Sequence, residues 1–213
     1  TSLRVALAAP TGKAAARLKQ AIDHSLLTLA PMLAAHCDLA ACVDHMGPAR
    51  TLHALLGTRP HSRAFRANAH HPLDLDVLVV DEASMVNLEL IVKLLEALPA
   101  HTRVVLLGDK DQLASVEAGA VFADMCRCAA IGAYDTQTVA FAKKVADITL
   151  PTAYQASAMP APVLAQHTVM LRVSHRFGGV IGQLAQAVNE GEVARALALL
   201  NQGEAPTLAY HPS

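Results

Sequence analysis

Tryptophan is absent from this 213-residue chain, and only 3 tyrosines and 4 phenylalanines are present. Packing must therefore come from aliphatic helix-on-sheet contacts, and platforms on which bases could stack are scarce. Charge is scarce too. Charged residues make up 16% of the chain and the formal net charge is −1, which excludes a module that binds nucleic acid through a broad phosphate-neutralising surface. Any DNA contact must be local. No apolar run approaches the roughly 20 residues that cross a bilayer, so no membrane partner is expected. Thr1-Ser2-Leu3-Arg4-Val5-Ala6 opens on a strand pattern without the charged region of a signal peptide, which fits a cytoplasmic protein. With no initiating Met and no element ahead of that strand, the start reads as cut.

The four cysteines, Cys37, Cys42, Cys126 and Cys128, lack the paired spacing of a zinc ribbon, and a disulfide framework is not expected. His36, Cys37, Cys42 and His45 place four potential zinc ligands within one short stretch. The Ala- and Leu-rich surroundings favour ordinary half-buried residues there.

What the chain has in quantity is apolar residues, 53% of the total, and they are organised. Leu3 to Ala9 is a continuous apolar run stopped by Pro10-Thr11-Gly12, after which Lys13 to Ile22 reads as a helix. Ser25 to Met46 is Ala/Leu-rich and expected to be helical up to Gly47-Pro48. Thr51 to Leu56 reads as a short helix with Thr51 as N-cap and Gly57 closing it. Thr58 to Pro72 reads as a solvated loop.

Asp76 to Asp81 is a buried strand running into acids, followed by a helix over Leu88 to Leu98, and Arg103 to Asp109 repeats the pattern. Two such units predict a parallel sheet with crossover helices. Ala118 to Cys128 should be helical. The segment from Ala130 to His167, with Met159-Pro160-Ala161-Pro162, is expected to be a disordered insertion apart from a helix near Val139 to Ala146. Thr168 to Val173 reads as a third strand of this type, leading to Ser174-His175-Arg176-Phe177 and to helices at Ile181–Asn189 and Val193–Leu200.

Three features carry chemistry. Asp81-Glu82 leaves a buried strand at the edge where ligands sit in open α/β sheets. There the first acid suits the water shell of Mg²⁺ and the second can orient water towards a γ-phosphate. Gln112, in Gly108-Asp109-Lys110-Asp111-Gln112-Leu113, can contact that phosphate or its attacking water. Arg176 can stabilise the charge of a transferred phosphoryl group. Each has a plain alternative, as a strand-ending acid, a polar turn or a solvated arginine. Thr11-Gly12-Lys13-Ala14 lacks the earlier Gly and following Ser or Thr of a phosphate-binding loop. It can serve as a helix cap with a solvated Lys, or offer Thr11 and Lys13 to a DNA phosphate.

Taken in order, Ala9 to Ala15, Thr51-Leu52-His53, Val79 to Met85, Gly108 to Ala120 and Leu171 to Phe177 resemble helicase motifs Ia, Ib, II, III and IV. The chain is similar to superfamily 1 DNA helicases from about Val5 to Asn201. Within them it resembles the RecD family, the alpha subunits of exodeoxyribonuclease V, because Ala114 and Glu117-Ala118 stand where stand-alone relatives usually carry Pro and Gly-Pro.

The resemblance implies a RecA-like P-loop NTPase motor fold, α/β with a parallel sheet flanked by helices. Residues 1–177 would be part of the first motor domain, with insertions at about 25–50 and 130–167. Residues 178–213 would be a helical segment leading toward the second motor domain. It further implies ATP and Mg²⁺ as cofactors, Asp81 as the metal-associated acid, Glu82 as the residue activating water, Gln112 as γ-phosphate sensor and Arg176 as an arginine finger. Thr11, Lys13, Thr51 and His53 would lie on the single-stranded DNA side. His175 stands where family members carry Tyr for adenine stacking. RecB-like and RecC-like subunits would be partners in double-strand break repair and DNA end degradation. A Walker A loop is expected before Leu3, and motifs V and VI after Ser213. A stand-alone RecD-like helicase and a non-catalytic P-loop-like interaction module are the alternatives.

Overall fold

A computed structural model describes residues 3–33, 46–59, 62, 64–110, 121–157, 160–172 and 179–201. His36, Cys37, Cys42 and His45, weighed as zinc ligands, lie outside them; among the described residues no group of three or more His, Cys, Asp and Glu is placed to hold a metal ion. Among these residues no helix is long and apolar enough to cross a membrane. The chain divides into two compact units, Thr1–Thr168 and Val169–Ser213.

The first unit is built on a parallel sheet of β1 (Val5–Ala9), β2 (Arg50–Thr51), β3 (Val77–Val80) and β4 (Arg103–Leu106), in the order β2-β1-β3-β4. The apolar runs form strands whose cover falls off toward β4, where Arg103 and Val105 are exposed and Val104 and Leu106 half-buried. Leu78 and Val80 of β3 are fully buried. The register sets Ala8 beside Val80, Val80 beside Leu106 and Ala9 beside Thr51.

Helix α1 (Gly12–Leu33) packs on β1 and β2 and buries Ala15 and Leu18, one helical turn apart. Helix α2 (Leu52–Leu56) is capped by Thr51 Oγ, which accepts the Ala54 N–H at 3.1 Å, and ends at Gly57 with φ 73°. Helix α3 (Leu88–Glu96) starts where Asn87 Oδ1 accepts the Leu90 N–H, and it buries Leu90, Ile91 and Leu94. Leu52, Leu56, Leu78 and Leu94 form the centre of the core, each contributing roughly 2 kcal/mol by burial.

At the opposite, N-terminal edge of the sheet, Arg4 fixes the strand starts. Its Nε and Nη2 donate to the two Asp76 oxygens at 3.0 and 2.9 Å, its backbone N–H to Asp76 at 2.8 Å, and its Nη1 to Asp74. These bonds hold the Asp76 carboxyl well below the usual carboxylate range. Because the folded value is the lower one, the clamp's stabilisation is fully present above the unfolded value of about 3.9 and fades as pH falls through the lowered one.

Two sequence expectations are corrected here. The segment expected to be a disordered insertion is folded where it is described. Helix α4 (Val121–Met125) leads into it and α5 (Thr136–Ala146) lies within it. Gln166 ties it together: Oε1 accepts from Asp135 N–H and Thr138 Oγ1 at 2.8 Å, and Nε2 donates to Ala133 O and Pro162 O. Tyr134 Oη donates to Thr168 O at 2.8 Å. All the polar capacity of this glutamine is used, which offsets the entropy of ordering an Ala/Pro-rich stretch.

The strand expected at Thr168 to Val173 does not form over the described residues 168–172, which are irregular. Val169 and Leu171 are 78% and 88% exposed; with neither burial nor a partner strand among the described residues, β-forming residues gain little from extending. In the second unit, α6 (Gly179–Asn189) and α7 (Val193–Asn201) pack together through a turn at Gly191, φ 71°.

Candidate functional site at the C-terminal edge of the sheet

All four strands point the same way, so the residues that follow them collect along one edge. In spatial order these are Thr51 to His53 after β2, Pro10 to Lys13 after β1, Asp81-Glu82 after β3 and Gly108 to Lys110 after β4. Asp81 thus stands between the ends of β1 and β4. Its backbone N–H donates to Ala8 O at 2.9 Å, while Leu107 N–H donates to Val80 O at 2.8 Å.

The chain then turns sharply. Glu82 adopts a left-handed conformation, φ 53° and ψ 38°, rare for a residue with a Cβ and costing about 1 kcal/mol. Two hydrogen bonds hold it there. Its N–H donates to Asp81 Oδ1 at 2.9 Å, and the next residue, Ala83, donates to Leu107 O at 2.8 Å, extending the ladder to β4. Strain of this kind persists where the surroundings impose it, and it concentrates at functional sites. Asp81 and Glu82 are both half-buried. A single strained turn therefore presents two carboxylates at the ligand edge of the sheet.

Gly108 is pressed against this turn. A Cβ built on it would sit 3.0 Å from Ser84 N and 3.1 Å from the Phe122 ring, so the loop after β4 reaches the acidic turn only through glycine. Gly108→Ala is expected to lower stability by about 1–2 kcal/mol through overpacking; thermal unfolding that matches the parent would show that Phe122 simply moves aside. Ser84 is buried, and among the described residues its Oγ has no hydrogen-bond partner. Ser84 and Phe122 were not singled out from the sequence, and Gly108 was read there only as the start of a motif, since their importance lies in mutual contact.

The remaining expected site residues divide into two groups. Thr11 and Thr51 are helix caps: each Oγ accepts a backbone N–H, from Ala14 at 3.2 Å and from Ala54 at 3.1 Å. Each hydroxyl keeps its own proton to donate. Lys13 and His53 are exposed on the first turns of α1 and α2, and the His53 ring meets Phe65 edge-on at 5.8 Å. Gln112, His175 and Arg176 lie outside the described residues.

Comparison with known proteins adds the family. A model described as an AAA domain matches residues 1–118, more than half of the chain. The chain belongs to the AAA domain family. It is also 42% identical over 202 residues, 94% of its length, to RecBCD enzyme subunit RecD of Mycobacterium tuberculosis. It is 46% identical over 125 residues, 59% of its length, to the Haemophilus influenzae protein of the same name. To the ATP-dependent RecD2 DNA helicase of Deinococcus radiodurans it is 39% identical over 117 residues, 55% of the chain. It covers 28%, 19% and 13% of these relatives respectively, so it corresponds to a part of each. An AAA domain is an ATP-binding α/β unit, and the parallel sheet with its flanking helices agrees with that membership.

Proposed function

We propose that the chain is part of the first motor domain of an ATP-driven 5′-to-3′ DNA helicase, the RecD-type subunit of a RecBCD-like exodeoxyribonuclease V acting in double-strand break repair and DNA end degradation. The observation that carries this is the acid pair after β3, held by a strained turn between the ends of β1 and β4. Similarity to RecD subunits over 94% of the chain, against 55% for the RecD2 helicase, favours the subunit over a stand-alone enzyme.

On this reading Glu82 aligns a water against the γ-phosphorus and accepts its proton as the new P–O bond forms. The bond to the β–γ bridging oxygen breaks, and that oxygen leaves with ADP. The Asp81 carboxylate spends Oδ1 on the Glu82 N–H, and its other oxygen is a hard donor suited to Mg²⁺. Bound Mg²⁺ would neutralise charge on the triphosphate. Gln112 senses the γ-phosphate, Arg176 stabilises the developing charge and His175 stacks on adenine. Thr11, Lys13, Thr51 and His53 contact single-stranded DNA along the same edge, so hydrolysis and DNA grip share one set of strand ends. Residues 178–213 lead toward the second motor domain, RecB-like and RecC-like subunits complete the assembly, and the location is cytoplasmic.

The test is ATP turnover by the full-length protein purified with its partner subunits. Single-stranded DNA is expected to raise kcat at least several-fold; turnover indifferent to DNA would remove the motor reading.

A further inference from the structure

The turn that presents Asp81 and Glu82 draws little support from its own later side chains. Among the described residues Ser84 Oγ is buried and unpartnered, and the hydrogen bonds that hold the turn are donated by backbone N–H groups. A left-handed residue with a Cβ relaxes unless its surroundings forbid it. Packing against Ala83–Met85 therefore has to supply part of the restraint.

That packing comes from helix α4 (Val121–Met125), which lies against the turn. A helix of five residues has no stability of its own, so its place is set by what its side chains touch. Phe122 is the one among them that packs against the buried core, to which Ala83 belongs. The same ring reaches the loop after β4. A Cβ built on Gly108 would meet Phe122 Cε1 at 3.1 Å and Cζ at 3.2 Å, and Ser84 N at 3.0 Å. Ring and turn thus converge on one point, the bare face of the glycine. Relaxing Glu82 from φ 53° would swing Ser84, and the space beside Ser84 is already filled by the ring in a close-packed contact that leaves no slack.

We propose that Phe122 is a positioning residue for ATP hydrolysis: its ring wedges the turn after β3 against Gly108 and so keeps Glu82 in the left-handed conformation at the ligand edge of the sheet. The assignment rests on the motor reading and deepens it, adding to the acid pair the group that holds it in place. The ring is apolar and transfers no proton, so its effect on turnover passes through Glu82. A misplacement of about 1 Å at a reacting group costs about 10²-fold in rate.

The test is steady-state ATP turnover with single-stranded DNA, by the full-length protein with its partner subunits, for Phe122→Ala, Phe122→Leu, Glu82→Gln and the combined Glu82→Gln, Phe122→Ala variant. Phe122→Ala is expected to lower kcat by about 10²-fold with KM for ATP changed by less than about twofold. Phe122→Leu, which refills the space with apolar volume, should recover most of the loss. In the Glu82→Gln background Phe122→Ala should cost nothing further, because a residue that acts through another has no effect once that other is disabled. Where the alanine variant does not assemble, Phe122→Val takes its place in both backgrounds. Parental kcat in a folded Phe122→Ala enzyme would overturn the proposal. So would an equal loss of kcat in both backgrounds, or a loss that Phe122→Leu does not recover. A Glu82→Gln enzyme at the parental rate would overturn Glu82 as the base and this proposal with it. DNA-stimulated turnover that Glu82→Gln abolishes and Phe122→Ala leaves intact would remove the positioning role while the motor reading stands.

Discussion

Glu82→Gln in the full-length protein is expected to lower kcat for ATP hydrolysis by about 10²- to 10⁴-fold, the usual contribution of a positioned general base, while ATP binding changes little. The amide has the same shape and fits the same turn, whose backbone bonds from Glu82 N–H to Asp81 and from Ala83 N–H to Leu107 do not involve the Glu82 side chain. What it lacks is a basic oxygen to take the proton of the attacking water. Glu82→Gly separates this role from the backbone. Glycine tolerates φ 53° without the Cβ penalty, so this variant should be more stable than the parent by up to about 1 kcal/mol while equally inactive. That combination is the mark of strain kept for function. Turnover and thermal unfolding on the same preparations check both. A Glu82→Gln enzyme turning over near the parental rate would exclude Glu82 as the base, whatever its backbone conformation.

How much of this was legible in the sequence follows from how local each determinant is. Strands β1, β3 and β4 announce themselves because each is a short apolar run that ends abruptly, in Pro10, in Asp81-Glu82 and in Gly108-Asp109. Such runs fit strands buried on both faces. The cap at Thr51 and the stop at Gly57 are equally local. The errors were non-local. Thr168 to Arg172 has the composition of a strand, but Val169 and Leu171 are exposed and pair with no strand among the described residues. The insertion looked unable to order itself because Gln166, which bonds residues 28 to 33 positions away, reads in sequence as one polar residue among alanines. The Arg4–Asp76 clamp spans 72 positions and gives no local pattern. At the site, the acid pair was visible as a motif, whereas the left-handed turn that presents it depends on Leu107 of the neighbouring strand. Gln112 and Arg176 rest on side-chain chemistry and resemblance, and His175 on resemblance alone, since all three lie outside the described residues.

The largest effect expected is a complete one: the 213-residue chain by itself should not hydrolyse ATP, although its sheet is formed. Phosphoryl transfer is mainly a matter of positioning and of stabilising charge that spreads over the γ-phosphoryl oxygens. Nowhere do these residues contain the glycine-rich sequence ending in Gly-Lys-Ser/Thr that cradles the β- and γ-phosphates. The nearest approach, Thr11-Gly12-Lys13-Ala14, uses the Thr11 hydroxyl to cap α1. Asp81 and Glu82 alone would face a triphosphate with two negative charges and no cradle, an arrangement that repels the substrate. The second reason is architectural. Among the described residues β4 has no neighbour on its outer side, an edge open to pairing with another chain, and on one face of that strand Val105 and Leu107 are 43% and 41% exposed. Phosphate release should therefore stay at the buffer background with or without single-stranded DNA. Light scattering should reveal self-association that Val105→Lys diminishes. Release that rose with protein concentration and vanished in Glu82→Gln would mean that the acid pair and some cradle within these residues suffice for turnover, contradicting the division of labour proposed for this edge.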